Sequence, residues 1–292
     1  MPGWEGKSRG SKSGYGIFVW VLRSFGVFPA YFLLRLVSFY FFLFSSKSSK
    51  EAFKLFNKRL GYSRTASLFK VYKNYYRFGQ SLIDKVVVMS GMPNRFSFDF
   101  DGEQNLREMV AAGNGGLLLS AHVGNWEIAG HLLKRLGTKI NIVMFDGEHQ
   151  QIKQYLSGIT GERNVKVIVI KNDISHIYQI SEALSRKELV CMHADRFLEG
   201  NKVKEVNFMG SPAKLPIGPF VLASTFKVPV SFVFAMKESS LHYHFFATPD
   251  QNNSSLGKEA LTTKLMQEFA GEMAKKVRAY PEQWYNFYNF WQ

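Results

Sequence analysis

The chain has 292 residues, 46% of them hydrophobic and 21% charged, enough for one large folded domain or two small ones; general disorder is excluded. A formal net charge of +14 calls for an acidic partner, whether nucleic acid, anionic lipid or an acidic carrier protein. The lone cysteine, Cys191, excludes an internal disulfide and any cysteine-based metal site, and within Leu189-Val190-Cys191-Met192 it reads as a buried structural thiol.

Residues 1–14 are rich in Gly, Ser and Lys and read as a disordered basic tail. From Tyr15 to Phe44 the composition turns apolar and aromatic, interrupted by Arg23, Pro29 and Arg35. No charge-free run of about 18 residues is present, as an uninterrupted spanning helix would need. A secretory signal peptide does not fit either, because no small-residue cleavage site follows the apolar part. Two helical pieces hinged near Pro29 remain, either a pair of core helices or a membrane attachment, spanning or monotopic, whose arginines snorkel to headgroups. Basic residues outnumber acids about four to one over the first hundred positions, which favours a membrane. After a Ser45–Ser49 hinge, a helical region runs to about Ser90, with Leu68, Tyr72, Tyr75 and Tyr76 on one stripe and Lys70, Lys73 and Arg77 on another.

Strands and helices then alternate. Strands are expected at 96–100, 117–121, 140–144, 165–170, 189–193, 203–208 and 228–234, with an edge strand at 241–248. Helices are expected around Leu106, at 150–159, 174–184 and 217–226, and over 256–278. Such alternation predicts an α/β fold with a largely parallel central sheet. The aromatic tail from Tyr280 to Trp291 is expected to pack on the fold or meet the bilayer interface.

The chemistry concentrates between Gly115 and Gly137. His122 ends the apolar strand 117–121, Gly124 and Asn125 turn the chain, and a helix runs on to Lys134-Arg135. Ligands of open α/β sheets bind at the carboxyl ends of strands. Glu127, five positions after His122, could fold its carboxylate back onto the imidazole as in a general-base pair. The plainer alternative is a histidine that ends a strand and an acid favoured by a helix N-terminus. A second strand end, Met192-His193-Ala194-Asp195-Arg196, offers Asp195 and Arg196 to the same edge, as site residues or as a salt-bridged loop. No His-Glu-x-x-His spacing supports zinc, and no phosphate loop, dinucleotide fingerprint or Gly-x-Ser-x-Gly elbow occurs. Nothing resembles a nucleic-acid recognition motif.

Ser120-Ala121-His122-Val123-Gly124-Asn125-Trp126-Glu127 resembles the His-x4-Asp/Glu motif of the glycerolipid acyltransferase superfamily, in the form used by the late (secondary) acyltransferases of bacterial lipid A biosynthesis. Asp101-Gly102-Glu103, Ala194-Asp195, Phe208-Met209-Gly210, Pro216-Ile217-Gly218-Pro219 and Pro281-Glu282-Gln283-Trp284 follow in that family's order. The resemblance implies a tail and membrane anchor at 1–46 and an acyltransferase domain at 47–292, held at the cytoplasmic face of a bacterial inner membrane. It implies acyl transfer from acyl carrier protein or acyl-CoA to a hydroxyl of a membrane lipid, a lipid A precursor by default, without a bound cofactor or metal. His122 would be the general base, Glu127 would orient its imidazole, and the Gly124 and Asn125 amides would hold the oxyanion. Trp126, Arg163, Asp195, Arg196 and Gly218 would complete the binding site.

One departure concerns the acceptor. Val143-Met144-Phe145-Asp146-Gly147 stands where many relatives carry an arginine, a poor contact for a sugar phosphate, so an amino-acid-based or other hydroxylated lipid is a variant within the same reaction. A catalytically silent lipid- or carrier-binding protein is the alternative from another class. The intact His122 and Glu127 argue against it.

Overall fold

The computed structural model describes residues 12–128, 133–145, 165–171, 173–198, 200–252 and 255–291. The expected helix at 150–159 and the expected site residue Arg163 lie outside the described residues.

Two apolar helices open the chain, α1 (Lys12–Phe25) and α2 (Val27–Phe44). The break between them is at Gly26, whose φ of 82° suits glycine, and not at Pro29 as the sequence suggests. Pro29 falls in the first turn of α2, where its missing amide donor has no partner to lose. Helix α3 (Ser46–Lys54) continues through a π-helical turn, Leu55–Arg59, to the long α4 (Arg64–Met89), which Ser63 caps by accepting from the Ala66 amide. Helices α2 and α4 pack along their length, through Ala30, Tyr31 and Leu34 against Ile83, Val86 and Val87.

A seven-stranded sheet follows, in the order β1-β9-β8-β2-β5-β3-β4. Its strands are β1 (Ser97–Asp101), β2 (Gly116–Ser120), β3 (Ile140–Phe145), β4 (Val165–Ile170), β5 (Leu189–His193), β8 (Val230–Lys237) and β9 (His242–Ala247). All neighbours are parallel except the β8–β9 pair. Strand β2 is buried at every position, as its uninterrupted Leu117-Leu118-Leu119 implies for a strand covered on both faces. Leu117 and Leu119 face α6 (Ser175–Ser185), α7 (Gly218–Phe226) and α8 (Lys258–Ala279), while Leu118 faces α5 (Glu103–Ala111).

Two strand assignments also differ from expectation. Strand β9 is not an edge strand; it lies between β1 and β8, leaving β1 at that edge. The turn-rich stretch after Met209 contains a further strand, β7 (Ser211–Pro216), which pairs antiparallel with β6 (Val203–Phe208) in a separate hairpin. Pro212 and Pro216 argue against a strand in the sequence, but a two-stranded ribbon leaves one side of each strand open, where a missing donor is tolerated. Met209 and Gly210 both have positive φ and close that hairpin.

Candidate active site

Register assembles the site. Strands β2 and β5 are parallel neighbours with Ser120 opposite His193, so the residues leaving their carboxyl ends, His122 and Asp195, emerge side by side. The His122 amide donates to Asp195 Oδ2 at 3.0 Å, and the ring Nδ1–H donates to Asp195 Oδ1 at 2.8 Å, since a carboxylate only accepts. The Asp195 side chain is 1% exposed and that of His122 15%. Burial would raise the Asp195 carboxyl, but the charge and hydrogen bond of His122, with the nearby Arg196 charge, outweigh it and hold the group well below the usual carboxylate range.

His193 stacks on His122 with ring centres 4.2 Å apart, and Trp126 meets His193 edge-on at 4.5 Å. His122, His193 and Asp195 each place one donor atom within 4.8 Å of the others, a spacing that could hold a metal ion. Both Asp195 oxygens accept from His122, one from its amide and one from its ring.

Glu127 lies elsewhere than the sequence suggests. Its carboxylate pairs with Lys85 of α4 at 2.8 Å, both side chains largely shielded, and the carboxylate on the imidazole is Asp195. Five residues of separation include the turn at Gly124, which sends the following helix toward α4. That turn has no room for a side chain. Gly124 has φ 75°, and a Cβ there would lie 2.0 Å from the Ala235 carbonyl oxygen.

The same packing uses the two expected oxyanion donors. The Gly124 amide donates to the Gln283 carbonyl at 2.8 Å and the Asn125 amide to the Ala235 carbonyl at 2.7 Å. The Asn125 side chain is also structural, donating to the Ser81 carbonyl at 3.0 Å and to the Tyr243 hydroxyl at 3.2 Å.

Arg196 donates to the Tyr285 carbonyl at 2.8 Å, and Tyr285 donates its own amide to the His122 carbonyl at 3.2 Å. The aromatic tail therefore packs on the fold, beside the motif, with Trp284 buried against Phe208. Gly218 opens α7 as an exposed residue, and no hydrogen bond or ring contact among the described residues joins it to the His122 cluster. Cys191 sits within β5, where burial pushes its thiol up to about 12, consistent with an inert group. An apolar cleft lined by Phe100, Leu106, Leu136, Val233 and Phe245 shares no lining residue with the His122 cluster.

The sequence reading missed His193 as a ring partner and Lys85 as the Glu127 counterion; the tail packs on the fold, one of the two placements expected for it. Strand-end position pointed to His193 and Asp195 equally. Only the register shows that one supplies the carboxylate and the other a ring face.

Comparison with known proteins adds the chemistry. The family model described as bacterial lipid A biosynthesis acyltransferase matches residues 11–292. Two curated relatives are similar to the chain over 195 residues: the phosphatidylinositol mannoside acyltransferases of Mycobacterium tuberculosis strains H37Rv (28% identical) and CDC 1551 (27% identical). Each match covers 65% of this chain but only 58% of the relative.

Proposed function

Since the chain belongs to the bacterial lipid A biosynthesis acyltransferase family, we propose that it transfers a fatty acyl group from a thioester donor to a hydroxyl of a membrane lipid. The observation that carries this reading is the His122–Asp195 pair at the carboxyl ends of the neighbouring strands β2 and β5. Asp195 holds the Nδ1–H tautomer, and Nε2 takes the proton of the lipid hydroxyl as its oxygen attacks the thioester carbonyl. The tetrahedral intermediate collapses, the carbon–sulfur bond breaks, and the imidazolium returns the proton to the departing thiolate. A hydroxyl is too weak a nucleophile to attack unaided near neutral pH, which is the need that His122 meets.

The Gly124 and Asn125 amides, in the turn that precedes Trp126, are used within the fold, so neither is offered as the oxyanion donor. Glu127 acts through Lys85 to hold that turn against α4 and is a positioning residue.

The donor is acyl carrier protein or acyl-CoA, and the positive charge suits both an acidic carrier and an anionic bilayer. The exposed aromatic surface of α1 and α2 supports attachment to a membrane, in a bacterium the cytoplasmic face of the inner membrane. For the acceptor, the family favours a lipid A precursor, and the two relatives, named for a phosphatidylinositol mannoside, favour a hydroxylated glycolipid more broadly. An amino-acid-based hydroxylated lipid is the variant. Total-lipid mass spectra of cells with the gene, without it, and with His122→Ala test the proposal. One lipid should lose a single acyl mass in both the deletion and the mutant; full restoration by His122→Ala overturns the general-base role.

A further inference from the structure

Helix α2 is 18 residues long with a mean hydropathy of 1.8, and it is the one helix among the described residues long and apolar enough to cross a membrane. At 1.5 Å per residue it would reach about 27 Å, close to the hydrocarbon thickness of a bilayer. We propose that it does not span: α2 lies in the plane of an anionic bilayer, presenting one face to lipid while the other is bolted to the catalytic domain. This deepens the reading of the chain as an enzyme of membrane lipids and rests on it.

Three observations carry the inference. The first is the bolt. Tyr31 of α2, 4% exposed, donates its hydroxyl to Asp84 of α4. The other Asp84 oxygen accepts from Lys237 Nζ of β8 at 2.5 Å and from the Tyr243 hydroxyl of β9. Lys237 is 3% exposed and Asp84 is fully buried. For α2 to stand across a bilayer, Tyr31 must leave this cluster or Asp84 and Lys237 must follow it toward lipid. Either leaves a buried charge without part of its partnership.

The second observation is that the packing continues beyond the bolt. Leu34 closes on Gly79 of α4, where a Cβ would lie 2.3 Å from Leu34 Cδ1. One turn and more onward, Phe39 and Phe42 contact Tyr72, and Phe41 stacks on Tyr75. Helix α4 thus shadows α2 nearly end to end, and it carries Lys70, Lys73, Arg77 and Lys85, which no hydrocarbon core accommodates cheaply.

The third is the free face. Phe28, Phe32, Leu36, Phe39 and Leu43 recur at three- and four-residue intervals and are each more than half exposed. Trp20 and Phe25 of α1 are exposed as well. Arg35 is at the midpoint of α2, so a spanning helix would put its guanidinium at the bilayer centre. On the helical wheel it falls at the margin of the apolar arc, from which it can snorkel to headgroups if the helix lies flat. Exposed Arg23, Lys47 and Lys50 flank the same segment, and over residues 12–90 thirteen Lys and Arg face two acids, Glu51 and Asp84. That charge complements anionic headgroups and commits the surface to lipid.

Labelling tests the geometry. In a Cys191→Ser background, the full chain carries a single cysteine at Ser24 or Lys47, exposed positions beyond opposite ends of α2. Sealed membrane vesicles of both orientations, from a bacterium expressing the chain, are treated with a membrane-impermeant maleimide. Both cysteines should react from the same face and both lose labelling when the reagent is confined to the other. Reaction from opposite faces overturns the proposal in favour of a span. Binding to phosphatidylethanolamine vesicles containing phosphatidylglycerol is the second readout. It should weaken with salt and with Phe32→Asp plus Leu36→Asp; no vesicle binding, or a soluble dimer that shields Leu36→Cys, overturns a lipid-facing surface. Acyl transfer by detergent-solubilised protein, measured separately with and without His122→Ala, reports on the enzymatic reading. Either reading can therefore fail without the other.

Discussion

Replacing Asp195 by Asn retains shape and removes charge, which separates the roles of the two acids near His122. In the native site both Asp195 oxygens accept from His122, at 3.0 Å from the amide and 2.8 Å from Nδ1. Hydrogen bonds to a charged group are worth about 1.5–3 kcal/mol each. An asparagine can accept only one of them, and its NH2 group then faces the other N–H, donor against donor. The site loses about 2–4 kcal/mol of stability by this reckoning, and the imidazole is driven toward the wrong tautomer or a rotated ring. General-base catalysis is worth about 10²- to 10⁴-fold, so kcat should fall by that factor, about 3–5 kcal/mol of barrier, with KM for the donor nearly unchanged. Glu127→Gln removes a charge from the Lys85 pair but keeps an acceptor there, and should cost less than about tenfold. The assay follows acyl transfer to extracted membrane lipid under saturating donor, with both variants and His122→Ala side by side. If Asp195→Asn retains nearly wild-type kcat while Glu127→Gln falls to the level of His122→Ala, the assignment of Asp195 as the orienting group is refuted.

Four further expectations follow from the same contacts. Because the Asp195 carboxyl is held below its unfolded value of about 3.9, the folded state binds that proton more weakly than the unfolded chain; its stabilisation is present above that value and is lost as pH falls through the lower folded value. Thermal melts from pH 7 to pH 3 should therefore show the gap between wild type and Asp195→Asn narrowing toward acid, and a constant gap would count against it. Gly124→Ala forces a Cβ to within 2.0 Å of the Ala235 carbonyl at positive φ and should cost more than about 3 kcal/mol, seen as a fall in Tm or in soluble yield. Asp84→Asn leaves Lys237 buried without its counter-charge and should cost about 3–5 kcal/mol in denaturant titration, part of which Lys237→Met added to it recovers. Finally, Cys191, with its thiol pushed up to about 12, should resist alkylation at pH 8 until the protein is unfolded.

Much of the fold is written locally. The apolar run Leu117–Ser120 is buried at every position and turn residues bound it, while Val165–Ile170 is β-branched except at Lys166, so the strand character of both is readable from the chain alone. The position of His122 at a strand end is equally local. So is the octapeptide that carries the family likeness, which the match over residues 11–292 bears out. Partnerships are another matter, because they depend on which strands become neighbours. Sequence spacing favours Glu127 for His122, but in three dimensions the β2–β5 register brings Asp195 from 73 positions away, and the turn at Gly124 carries Glu127 off to Lys85. The amides of that turn look open in the sequence and are closed by Gln283 and Ala235, residues no local pattern connects to it. The same holds for α2. Its length and hydropathy allow a membrane span although Arg35 interrupts it, and the tertiary structure adds the burial of Tyr31 against Asp84 and Lys237 and the packing of α2 along α4. Hydrophobic periodicity is a property of neighbours along the chain. The pairing of buried charges is a property of neighbours in space, and it decided how this motif is wired.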